Sequence, residues 1–88
     1  MINQIGLPAM LELLAEESAE LGHASLKYAR AVRGENPTPK SFEECEKDLA
    51  EEIADVLLVI EQLAGTVQLS DVNAVMIRKM ERWKERLK

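Results

Sequence analysis

The chain has 88 residues, 47% hydrophobic and 31% charged, with a formal net charge of −5. Three aromatics, four glycines and three prolines are too few for a β-sandwich or barrel, whose strands draw on β-branched and aromatic residues between glycine-rich turns. A lone Cys45 excludes an internal disulfide and fits a reducing compartment, and no apolar run approaches the ~20 residues of a membrane span. The composition therefore points to a single all-α domain over residues 1–88, soluble and cytoplasmic, with no membrane partner.

The first predicted helix runs from Leu7 to Arg33. Pro8 falls in its first turn, where a missing N–H costs nothing, and Met10, Leu14, Leu21, Tyr28 and Val32 recur at helical spacing. Gly34 stops it, and the segment GENPTPKS, with Pro37 and Pro39, reads as a loop. Ser41-Phe42-Glu43-Glu44 has the form of a capping box opening a second helix. Its expected core face is Leu49, Ile53, Val56, Leu57, Ile60 and Leu63, and Gly65 is expected to close it. After a short TVQL connection, Ser70 is the expected cap of a third helix over residues 71–86, with Val72, Val75, Met76, Met80, Trp83 and Leu87 available for burial.

The first two helices would each be ~36–40 Å long at 1.5 Å per residue, longer than a 9.9 kDa globule is wide. An antiparallel hairpin of long helices plus a third helix, assembled as a homodimer or homotetramer into a bundle, buries such stripes most simply.

Two acidic pairs stand out, Glu17-x-x-Glu20 and Glu52-x-x-Asp55, each placing two carboxylates on one helical face. Either alone is a common pattern among sixteen acids. Their mutual register says more. Glu20 and Glu52 stand equally far from Asn36, as do Glu17 and Asp55, so a turn centred in GENPTPKS brings all four to one level. Leu13, Leu21, Ile53 and Val56 flank them, so four ionised carboxylates would meet in partly apolar surroundings and repel one another. A hard divalent cation removes that conflict, Mg2+ foremost with Mn2+ as its substitute.

Charge is unevenly distributed. Residues 71–88 carry six Lys and Arg against three acids, whereas residues 1–70 carry five against thirteen. If the second and third helices also fold back on one another, Lys79 and Arg82 come level with the carboxylates, and Arg86 extends that face. Carboxylates that bind a metal beside basic side chains suit a polyphosphate. The acidic balance and scarce aromatics exclude a nucleic-acid platform.

The stretches LLAEESAEL, EEIADVLL and KMERWKERL together resemble the MazG-like all-α nucleoside triphosphate pyrophosphohydrolase superfamily, over residues 7–87. The resemblance implies hydrolysis of a nucleoside or deoxynucleoside triphosphate to the monophosphate and pyrophosphate. It implies Glu17, Glu20, Glu52 and Asp55 as Mg2+ ligands, Glu16 as the catalytic group that orients or deprotonates water, and Lys79 and Arg86 as phosphate ligands, with Arg82 added from its place on the same face. The chain departs from many relatives in having Trp83 where they carry Asn. No histidine follows the second acidic motif, which disfavours a role in histidine biosynthesis, and one motif set excludes a two-domain MazG.

Two other readings compete. A non-catalytic interaction bundle would need no metal at all. A di-iron carboxylate site could use Glu20-x-x-His23 on facing helices of a homodimer, but leaves Glu17, Asp55 and the basic third helix without a role.

Overall fold

A computed structural model describes residues 1–35 and 40–88. Among these the elements are α1 (Ile2–Ile5), α2 (Leu7–Arg33), α3 (Phe42–Leu63) and α4 (Val72–Arg86), with no strand.

Helix α2 has the predicted bounds. Pro8 lies in its first turn, and Gly34 ends it at φ +74, a left-handed conformation that suits glycine. The Glu35 N–H then donates back to the Arg30 carbonyl at 2.9 Å. The loop centre, with Asn36, Pro37 and Pro39, lies outside the described residues. Helix α3 opens on the expected reciprocal cap: Ser41 Oγ accepts from the Glu44 N–H at 3.1 Å, and the Ser41 N–H donates to Glu44 Oε1 at 3.4 Å. Ser41→Ala is expected to cost about 1 kcal/mol of stability, read as a lower midpoint in thermal unfolding. An unchanged midpoint would show that the cap contributes nothing.

Two expectations at helix ends are corrected, and one short helix is added. Helix α3 stops at Leu63, with Ala64 still right-handed at its C-cap, so Gly65 falls in the following turn. Asp71, not Ser70, is the N-cap residue of α4 and makes no side-chain cap, while Ser70 Oγ accepts from the Gln68 side-chain amide at 2.7 Å. Helix α1 was not predicted, because four residues are too short for a periodic signal. Gly6, at φ +87, joins it to α2, and Ile2 packs on the core.

Helices α2 and α3 pack together along their lengths in opposite directions. At one end the Tyr28 ring lies 5.2 Å from that of Phe42, and the Tyr28 hydroxyl donates to Glu46 Oε2 at 2.9 Å. At the other end Met10, Val59 and Leu63 form the buried core, covered by Ile2, Leu7, Leu13, Leu14 and Val67. Tyr28 is thus a packing residue of the helix pair. Cys45 is buried as well.

One pair of helices can cover only one face of each. Leu14, Leu21, Leu49 and Val56 are half-buried, whereas Val32, Ile53, Leu57 and Ile60, expected in the core, are exposed. The predicted return of the third helix against the second is not seen. Every residue of α4 except Val75 is exposed, and among the described residues its stripe of Val72, Met76, Met80 and Trp83 packs along no other helix. Val67 in the connection covers the end of the core instead. The chain measures 42 × 39 × 16 Å with a radius of gyration of 16.3 Å, against ~12 Å for a compact domain of this length. Its flat, spread form goes with apolar faces that the single chain leaves bare.

Candidate active site

Because α2 and α3 run antiparallel, the acidic pairs meet midway along their seam. Glu17, Glu20 and Glu52 each bring a carboxylate oxygen within 4.8 Å of the others. Two oxygens, Glu17 Oε2 and Glu52 Oε2, are buried and accept no hydrogen bond among the described residues. A buried acceptor without a donor is costly, and here two belong to neighbouring carboxylates.

The electrostatics agree with that crowding. The Glu17 carboxyl titrates above its ordinary value of 4.5, because burial penalises its charge and Glu20, Asp55, Glu52 and Glu16 repel it. Glu52 is raised likewise, by burial first, then by the nearby charges of Glu20 and Asp55. Asp55 is therefore close enough to be felt by both, and it shares a cavity with Glu17. Converging hard oxygen donors, two of them orphaned, are a donor set that fits a divalent cation.

The sequence matches the family model of the MazG nucleotide pyrophosphohydrolase domain over residues 6–87. The chain belongs to this family. No curated protein and no solved structure is detectably similar to it. Family membership implies a nucleotide pyrophosphohydrolase activity and a nucleotide substrate. No described helix is long and apolar enough to cross a membrane.

The MazG domain brings together Glu17, Glu20 and Glu52, with Asp55 beside them, but not every predicted site residue. Glu16 is exposed on α2, next to the cluster and outside it. Lys79, Arg82 and Arg86 are exposed on α4 and line shallow grooves of that helix and its approach, apart from the carboxylates. Their expected position opposite α3 required the second fold-back. His23 lines a cavity with Glu20 and Glu52 without joining the converging group, so the two halves of a di-iron site are not assembled within the chain.

Two cavities of the MazG domain meet the cluster from opposite ends of the α2–α3 seam. One, of about 300 Å³, is bordered by Glu20 and Glu52 and reaches His23, Lys27 and Lys40. The other, of about 250 Å³, is bordered by Glu17 and Asp55 and reaches Met10, Leu13, Leu58 and Gln62. Lys40 Nζ pairs with Asp48 Oδ2 at 2.5 Å, which raises the Lys40 pKa. Lys27 forms no ion pair among the described residues. The sequence reading assigned no role to Lys27, Lys40 or Gln62, although Lys27 continues the helical face of Glu20 and Gln62 that of Asp55.

Proposed function

We propose that this MazG domain hydrolyses a nucleoside or deoxynucleoside triphosphate between its α- and β-phosphorus atoms. Water supplies the oxygen that stays on the monophosphate, the α–β bridging oxygen leaves with pyrophosphate, and protons pass to solvent. The observation that carries the reading is the pair of buried, unsatisfied oxygens on Glu17 and Glu52, in a chain whose family acts on nucleotides.

In this reading Glu17, Glu20, Glu52 and Asp55 hold Mg2+, for which Mn2+ can substitute. A bound Mg2+ neutralises phosphate charge and makes water more acidic. Glu16 orients the attacking water from the edge of the cluster. A second copy completes the domain, as a homodimer or a homotetramer built from such dimers. The α4 stripe then covers the bare Ile53, Leu57 and Ile60 face of its partner, bringing Lys79, Arg82 and Arg86 toward the phosphates. Exposed apolar surface of this extent is otherwise costly for a small chain.

The test is release of pyrophosphate and monophosphate from a panel of ribo- and deoxyribonucleoside triphosphates, with Mg2+ and then with EDTA. Mg2+-dependent release of both products in equal amounts is expected. Silence on every nucleotide from a folded protein would overturn the activity and favour an interaction bundle.

A further inference from the structure

The family match begins at Gly6, so α1 lies outside it, and none of the roles proposed above falls to α1. Its place in the fold is specific all the same. Met1, at its start, lines the cavity that is also bordered by Glu17 and Asp55. Ile2 packs on the buried cluster of Met10, Val59 and Leu63, and Met10 and Val59 border that same cavity. The single turn is closed by its own backbone. The Gln4 and Ile5 N–H groups donate to the Met1 carbonyl at 2.9 and 3.1 Å, and the Gly6 N–H donates to that of Ile2 at 2.8 Å. One turn of helix does not hold together alone in water, so the seat of Ile2 on the core keeps the segment in place. Gly6 sets its direction, at φ +87 and ψ 165, a conformation that is essentially glycine's alone. A Cβ there would meet only Pro8 Cδ, at 3.9 Å, so the backbone conformation and not the space calls for glycine.

We propose that α1 is a strap over the Glu17–Asp55 end of the carboxylate cluster, with Ile2 and Gly6 as its positioning residues, and that its seating is coupled to the cation held there. This rests on the Mg2+ reading of the cluster and adds an element to it. The direction of the coupling follows from charge and water. A seated α1 keeps water from the cavity beside Glu17, whose Oε2 is already buried without a donor. Ionised carboxylates that lose water and have no counter-ion are penalised. A divalent cation lowers the net charge of the group, so the same loss of water then costs less. Cation binding therefore favours the seated strap, and by reciprocity the seated strap favours the cation.

The test joins two measurements on the full chain, calorimetric titration with Mg2+ alone and amide deuterium exchange at Gln4, Ile5 and Gly6. In the wild type, saturating Mg2+ is expected to slow exchange at those three amides about tenfold. Gly6→Ala, which strains the seated backbone, and Ile2→Ser, which loosens its hold on the core, should each weaken Mg2+ binding by about the same factor. Both should also abolish the Mg2+-dependent slowing, whereas Ile2→Val should keep it. A role confined to stability would lower the unfolding midpoint in the variants and leave Mg2+ affinity where it was. Wild-type protein that binds Mg2+ with no change in α1 exchange, or variants of undiminished affinity, would overturn the strap and leave the cation reading standing. Failure of the wild type to bind Mg2+ at all would overturn both.

Discussion

Glu17→Gln and Asp55→Asn are expected to lower pyrophosphate release at least ~100-fold, while leaving the metal-free protein as stable as the parent or more so. The two effects share one cause. Glu17 sits among Glu20, Asp55, Glu52 and Glu16 with one oxygen buried and unsatisfied, so its negative charge strains the empty site and serves the loaded one. An amide removes the repulsion and also removes a hard anionic ligand. Thermal unfolding in EDTA and turnover in Mg2+ check both halves. A large loss of metal-free stability in the variants would mean that the carboxylates support the fold.

The same cluster sets a pH trend with a definite sign. Folding raises the pKa values of Glu17 and Glu52 above 4.5, so between the unfolded and folded values the native state binds more protons. Stability of the metal-free protein therefore rises as pH falls through the raised values toward 4.5, and this contribution is lost again as pH rises through them. Saturating Mg2+ should reverse the trend, because a cation favours the ionised carboxylates. Unfolding midpoints at a series of pH values, with and without Mg2+, give the comparison.

If copies associate as the proposed homodimer or homotetramer, Leu57→Glu is expected to reduce them to free chains of 9.9 kDa, seen as a drop in mass by sedimentation or light scattering. Leu57 is 59% exposed in the single chain, beside Ile53 and Ile60 on the side of α3 turned away from α2. Covering a leucine fully is worth about 1.5–3 kcal/mol, and in a twofold interface the substitution acts twice. Burying an unpaired carboxylate there costs more still. Since Leu57 lies outside the α2–α3 core, the helix pair should still fold. An unchanged mass would show that this face is not where copies meet.

The elements were legible where local chemistry decides them. Leu7–Arg33 follows from Pro8, a run of helical spacing and Gly34, and the start of α3 from the reciprocal bonds of Ser41 and Glu44. The level meeting of Glu20 and Glu52 was legible too, because an antiparallel turn between long helices leaves little freedom of register. The course of α4 was not. Its apolar stripe shows that something must cover it, but spacing is equally compatible with α3 of the same chain or of another. The exposure of Leu57 and Ile60 has the same origin, since periodicity reports an apolar face without naming its partner. Lys27 and Gln62 were overlooked because neither belongs to a motif. Each gains interest only from the cavity that borders it.

The isolation of α4 also makes it a reporter. A helix of 15 residues standing without tertiary support is marginal in water, so its amides should exchange with deuterium far sooner than those of α2 and α3 near Met10 and Val59. Slow exchange along α4, appearing only above a threshold protein concentration, would give the free energy with which a second chain holds it.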